Sequence, residues 1–119
     1  MRSTFGTLVL GLCMVAAFLG SVRAARSDAA PVTNTVQVAI FNYKFDPETL
    51  TVPAGTTVTW TNKDEIPHTV ASTDKSFPAS AGLDTGDSYS YTFTKPGTYS
   101  YYCTLHPFMK GKVVVTAQP

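Results

Sequence analysis

From residue 34 onward, the sequence alternates apolar and polar residues in short runs that end at proline or glycine. A period of two residues is that of a β-strand with one buried face. No segment combines a helical period with capping residues. Several short strands at this spacing predict an all-β fold, either a sandwich or a barrel.

The alternating runs locate the predicted strands along the chain. They lie at residues 36–40, 50–52, 57–61, 68–72, 88–93, 98–103 and 113–116. The runs at 88–93 and 98–103 flank Lys95-Pro96-Gly97, a turn signal that predicts a hairpin between them. Residues 73–85 have no clear period and predict an irregular loop. Trp60 and the inward-facing valines and tyrosines are predicted to form the core.

The N-terminus has the three-part pattern of a secretory signal peptide. A short start containing Arg2 precedes an apolar run from Leu8 to Val22, and small residues at Val22-Arg23-Ala24 suit cleavage after Ala24. An uncleaved membrane anchor is the alternative interpretation. We therefore expect a signal peptide at 1–24, a flexible segment at 25–33, a single domain at 34–119 and export through the general secretory route.

Charge and cysteine content exclude several classes of protein. Nine Lys and Arg residues against eight Asp and Glu residues give a formal charge of +1, which argues against a nucleic-acid binder driven by phosphate neutralisation. Removing the predicted leader takes away Arg2 and Arg23, so the mature charge is 7 − 8 = −1. Two cysteines cannot build a multi-disulfide scaffold or a four-cysteine metal site.

The mature chain retains one cysteine, two histidines and one methionine. Cys103, His106 and Met109 are each separated by two residues, so a short loop between strands can bring the three side chains together. His68 lies 35 residues before Cys103, at the start of its own predicted strand. In a Greek-key sandwich, strands remote in sequence become neighbours, and His68 can then join the other three donors.

One thiolate, two imidazoles and one weak axial thioether describe a type 1, or blue, copper centre for electron transfer. Zinc fits this set less well, because thioether is not among its usual ligands. The alternatives are a copper module for storage or delivery with the same ligands, and an enzyme with a Cys103–His106 nucleophilic pair. The pair lacks a recognisable third group and an oxyanion element. We therefore predict a non-enzymatic protein with one copper per chain.

Residues 35–117 resemble the cupredoxins and, within them, the amicyanins. The likeness is carried by 41–47, by 50–55, by 57–62 with Pro67-His68, and by the ligand loop 103–109. The resemblance implies a Greek-key β-sandwich, copper ligation by His68, Cys103 and His106 with Met109 axial, and a monomeric electron carrier in the periplasm. It also implies redox partners, among which an amine dehydrogenase and a c-type cytochrome are candidates.

The chain departs from the amicyanin pattern at two positions near the predicted site. Leu105 replaces a proline of the ligand loop, and Thr69 replaces the asparagine that usually follows the first histidine. In the amicyanin pattern that asparagine connects the two ligand segments. We expect the Thr69 hydroxyl to make this connection only in part.

Overall fold

The computed structural model describes residue 20 and residues 34–118. The predicted flexible segment 25–33 and, apart from residue 20, the predicted signal peptide lie outside the described residues. No helix in the described part of the chain has the length and apolar character needed to cross a membrane.

Eight strands form two four-stranded sheets, which confirms the predicted β-sandwich. The strands are β1 (Thr35–Phe41), β2 (Lys44–Asp46), β3 (Thr49–Pro53), β4 (Thr56–Asn62), β5 (Ala71–Ser72), β6 (Ser88–Phe93), β7 (Gly97–Tyr102) and β8 (Lys110–Thr116). One sheet has the order β2-β1-β4-β6 and the other has the order β3-β8-β7-β5. The pairs β1/β4 and β3/β8 are parallel, and the other strand pairs are antiparallel.

The core lies between the sheets and is built from alternate residues of the strands. Val38 and Ile40 of β1 and Val58 and Trp60 of β4 are completely buried, as the sequence pattern predicted. Trp60 lies 5.3 Å from Tyr101 of the opposite sheet, measured between ring centroids. This aromatic contact joins the two sheets across the core.

The predicted hairpin between residues 88–93 and 98–103 is wrong. β6 pairs with β4 in one sheet, whereas β7 pairs with β8 and β5 in the other. The chain therefore crosses from one sheet to the other at Thr94–Pro96. Alternation and a turn signal do not distinguish these cases, because a strand has the same period in either sheet.

Two loops meet at one end of the sandwich. One loop leaves β4 after Asn62 and reaches His68, which is a single bridge residue paired with Leu83 instead of the start of a longer strand. The other loop joins β7 to β8 and contains Cys103. Antiparallel pairing of Ala71 with Tyr102 brings the first loop beside the second.

Candidate metal centre

Three of the four predicted ligands converge at this end of the sandwich. The donor atoms of His68, Cys103 and His106 all lie within 4.8 Å of one another. The Cys103 sulfur is 3.7 Å from Nδ1 of His68 and 3.7 Å from Nδ1 of His106. His68 and Cys103 are completely buried, whereas His106 is half-buried.

The spacing of these donors fits a shared transition-metal ion. Metal–sulfur and metal–nitrogen bonds of about 2.3 and 2.0–2.1 Å, the lengths known for zinc, place their end atoms about 3.7 Å apart when they meet at about 120°. Both sulfur–nitrogen distances have this value. One thiolate with two imidazoles suits copper in a trigonal arrangement.

The loop that carries Cys103, His106 and Met109 is closed by its own backbone. The Cys103 amide donates to the Met109 carbonyl at 3.1 Å, and the Met109 amide donates to the His106 carbonyl at 2.9 Å. The Met109 side chain is 2% exposed and belongs to the core. The fourth predicted ligand is thus buried on the loop that carries two of the other three.

Asp64 holds the imidazole of His68 from the side opposite the sulfur. Its Oδ2 lies 2.8 Å from Nε2 of His68, so a proton on Nε2 leaves Nδ1 free to face Cys103. Burial acts to raise the pKa of the Asp64 carboxyl, but the amides of Tyr43 and Asn42 and the His68 ring together hold that pKa below its usual value. Asp64 is therefore a carboxylate that orients a candidate metal ligand.

The same carboxylate fixes the turn between β1 and β2. The amides of Asn42 and Tyr43 donate to Oδ1 and Oδ2 of Asp64 at 2.7 and 3.0 Å. Both residues have positive φ, 53° and 58°, which is unfavourable for a bulky residue such as Tyr43. The turn places the Tyr43 ring edge-on to His106, with 5.1 Å between centroids.

Thr69 ties the two ligand segments together. Its Oγ1 accepts a hydrogen bond from the Thr104 amide at 2.8 Å and lies 2.8 Å from Oγ1 of Thr104. Its backbone amide also donates to the Cys103 sulfur at 3.4 Å. The threonine hydroxyl thus makes the connection that the asparagine of the amicyanin pattern is expected to make.

Large apolar side chains surround the half-buried His106 on the outer surface. Phe108 is 70% exposed, Leu105 is 53% exposed and Tyr43 is 42% exposed. Pro67 and Pro107, the sequence neighbours of His68 and His106, are also exposed. The donor cluster is therefore covered by a patch of apolar surface, with one imidazole reaching toward solvent.

Sequence reasoning missed the roles of Asp64 and Tyr43. Asp64 falls in a polar loop, but it stands four residues before His68, and an acidic residue so close to a candidate ligand was an available signal. Tyr43 had no such signal, because its position depends on an unusual turn conformation and on the pairing of β1 with β2.

Comparison with known proteins agrees with this geometry. A family model of the cupredoxin-like domain matches residues 10–115. The chain belongs to the cupredoxin family. This confirms the resemblance inferred from the ligand loop and the strands before it.

Relatives of this cupredoxin include two amicyanins. It is 41% identical over 95 residues to amicyanin-alpha of Methylorubrum extorquens, covering 72% of this chain and 75% of that protein. It is 35% identical over 122 residues to amicyanin of Paracoccus denitrificans, covering 89% and 92%. A solved purple cupredoxin of Nitrosopumilus maritimus is 38% identical with a TM-score of 0.64, covering 68% of this chain and 99% of the other.

Proposed function

We propose that this cupredoxin is a blue-copper protein that carries single electrons between redox partners. His68, Cys103 and His106 would hold one copper ion, and Met109 would supply a weak thioether donor. The observation that carries this proposal is the convergence of one sulfur and two imidazole nitrogens at one buried point. The named amicyanin relatives support it.

When bound, the copper supplies the one-electron Cu(II)/Cu(I) couple. The fold fixes the donor side chains, which would limit their rearrangement when an electron is transferred. Asp64 fixes His68 and the closed loop fixes Cys103 and Met109. The buried surroundings of Cys103 exclude water from the sulfur.

The apolar patch around His106 is the proposed docking surface. His106 is the ligand nearest to solvent, and the exposed Leu105 and Phe108 flank it on the same loop. Electron-transfer partners meet through small, short-lived interfaces, so a patch of this size is sufficient. An electron would enter and leave through the His106 imidazole.

We propose a periplasmic location and, as partners, an amine dehydrogenase and a c-type cytochrome. Amicyanin-like relatives and the signal-peptide pattern at residues 1–24 support this assignment. Identification of proteins that exchange electrons with the purified protein would test it. Rapid electron exchange with cytoplasmic partners alone would contradict it.

A carrier is favoured over an enzyme and over a copper-delivery module. Both histidines of the chain belong to the one donor cluster, so no histidine is left for a second copper centre. An electron carrier is expected to have a reversible reduction potential and rapid electron self-exchange. A delivery module predicts a labile site that passes copper quickly to an acceptor.

The copper site is tested by adding Cu(II) and recording visible and EPR spectra. We expect an intense visible absorption and a type 1 EPR signal from the wild-type protein. Cys103→Ser should abolish that absorption, because the sulfur-to-copper charge transfer requires the thiolate. A blue Cys103→Ser variant would refute the ligand assignment.

The axial role of Met109 is tested by the variant Met109→Leu. Leucine keeps the volume and apolar character of the buried position but offers no donor. We expect the variant to bind copper and to have a higher reduction potential, because Cu(II) loses an axial donor. An unchanged potential would show that Met109 is not axial.

A further inference from the structure

Thr69 directs two donor groups at the sulfur of Cys103. Its backbone nitrogen lies 3.4 Å from the sulfur, and its Oγ1 lies 3.8 Å from it. The same oxygen also contacts Thr104, whose amide nitrogen and Oγ1 both lie at 2.8 Å. One hydroxyl oxygen therefore has three polar neighbours, although it has only one proton to donate.

The valence of the hydroxyl limits how these contacts are shared. A hydroxyl has one donor proton and two acceptor lone pairs. The Thr104 amide occupies one lone pair of the Thr69 oxygen. If the Thr104 hydroxyl occupies the second, Thr69 donates its own proton to the Cys103 sulfur. If Thr69 instead donates to the Thr104 hydroxyl, the sulfur keeps only the backbone amide of Thr69.

Burial and charge decide between the two arrangements. Thr104 is exposed, so water can satisfy its hydroxyl in either orientation. Cys103 is completely buried, so its sulfur depends on protein donors. A metal-bound cysteine is a thiolate, and a hydrogen bond to a charged acceptor is about twice as strong as one to a neutral acceptor. The arrangement that donates to the sulfur therefore has the lower free energy.

We propose that Thr104, Thr69 and Cys103 form a hydroxyl relay that raises the reduction potential of the bound copper. In this relay Thr104 donates to Thr69, and Thr69 donates to the sulfur. The inference rests on the proposed function, since it concerns the copper held by Cys103. Donors on the sulfur weaken its donation to the metal, and Cu(II) depends on that donation more than Cu(I) does.

The relay gives Thr69 a role that an asparagine would fill differently. A hydroxyl accepts and donates through a single atom, so the hydrogen bond from Thr104 polarises the bond that Thr69 makes to the sulfur. An amide side chain accepts through oxygen and donates through nitrogen, which separates the two tasks. Thr69 is thus a positioning residue that acts on the metal through Cys103.

The test measures the copper reduction potential and the visible charge-transfer band in the full chain. Thr69→Val removes the Thr69 hydroxyl, whereas Thr69→Ser keeps it. Thr104→Val removes the hydroxyl that donates to Thr69 but leaves the Thr104 backbone amide in place. Thr59→Val is the matched control, because it breaks an exposed Thr59–Ser90 hydroxyl pair of 2.7 Å between β4 and β6. Wild type and control should have the same potential.

We expect Thr69→Val to lower the Cu(I)/Cu(II) ratio at a fixed electrode potential by about tenfold. For a one-electron couple this corresponds to a reduction potential that is lower by about 59 mV. Thr69→Ser should stay close to wild type, and Thr104→Val should give a smaller decrease. The charge-transfer band should shift in Thr69→Val, because the sulfur loses a donor.

Two results would overturn the relay. A potential of Thr69→Val equal to that of wild type would show that the hydroxyl does not act on the sulfur. An unchanged or raised potential in Thr104→Val would show that Thr69 donates to Thr104 instead, and this variant decides the question even if Thr69→Val fails to fold. A wild-type protein without the intense visible band would refute the proposed function and the relay together.

Discussion

At the scale of single residues, Asp64 connects a metal ligand to a distant turn. One carboxylate accepts hydrogen bonds from Nε2 of His68 and from the backbone amides of Asn42 and Tyr43. These contacts join β1, β2 and the loop after β4 at a single side chain. The geometry of the donor cluster therefore depends on a side chain that lies outside the cluster.

We predict that Asp64→Asn weakens copper binding by about 10- to 100-fold, the usual cost of losing a residue that orients a ligand. The amide lacks the negative charge that stabilises the His68 proton and the two turn amides. Copper affinity measured by chelator competition tests this prediction. Asp74→Asn is the control, since Asp74 is exposed and its hydrogen bonds to described residues stay within the Ser72–Ser76 turn. Equal affinities of the two variants would contradict the prediction.

Sequence reasoning named the three residues whose side chains converge, His68, Cys103 and His106, but not the residues that hold them. Cys103, His106 and Met109 share one short loop, so their proximity follows from spacing alone. Asp64 and Tyr43 act through contacts between loops that are remote in sequence. The local sequence around Asp64 and Tyr43 does not show which loops these two residues contact.

At the scale of secondary-structure elements, β7 and β8 form the frame of the ligand loop. Their antiparallel register pairs Tyr101 with Gly111, and Tyr102 with Lys110 next to Met109. Tyr101 is completely buried and lies over the glycine, where an added Cβ would come within 2.5 Å of the phenol ring. The close approach of ring and backbone requires glycine at this position.

We predict that Gly111→Ala lowers the free energy of unfolding by about 1–3 kcal/mol, the usual cost of overpacking a core. The added methyl group must displace the Tyr101 ring, which also packs against Trp60. Gly82→Ala is the matched control, because no atom of the described residues lies within 4 Å of the added carbon. Denaturant unfolding of both variants tests the difference, and similar midpoints would refute it.

Alternation predicted the positions of β1, β4, β6 and β7 but not the partners of β6 and β7. Val38 and Trp60 face the core as expected, because a strand with one buried face must alternate. The link at Thr94–Pro96 crosses between sheets, although its residues are those of a hairpin turn. The choice of sheet depends on packing across the core, which the sequence of one link does not encode.

At the scale of the whole molecule, the sandwich separates a metal-binding end from an opposite end. The loops at 63–67 and 103–109 lie at one end, and the turns near Gly55 and Pro96 lie at the other. The exposed apolar side chains Leu105, Phe108 and Tyr43 are at the metal-binding end. Within residues 34–118, the exposed large apolar side chains therefore gather at the end that carries the donor cluster.

We predict that Leu105→Ser slows electron self-exchange several-fold without changing the reduction potential. Two copies exchanging electrons meet through the same patch, and the serine weakens its apolar contact. NMR line widths of mixed Cu(I) and Cu(II) samples give the rate. Pro96→Ser, at the opposite end, should keep the wild-type rate. A Leu105→Ser rate equal to that of Pro96→Ser would show that the patch is not the contact surface.

The position of β8 in its sheet also determines when the metal centre can form. β8 is the last strand of the described chain, yet it lies inside its sheet between β3 and β7. Its parallel partner begins at Thr49, more than sixty positions earlier in the chain. A chain whose β8 has not yet been synthesised lacks both this strand and the closed ligand loop. The closed donor cluster thus depends on β8 joining its sheet, and an emerging chain offers its cysteine without the buried surroundings that the complete fold provides.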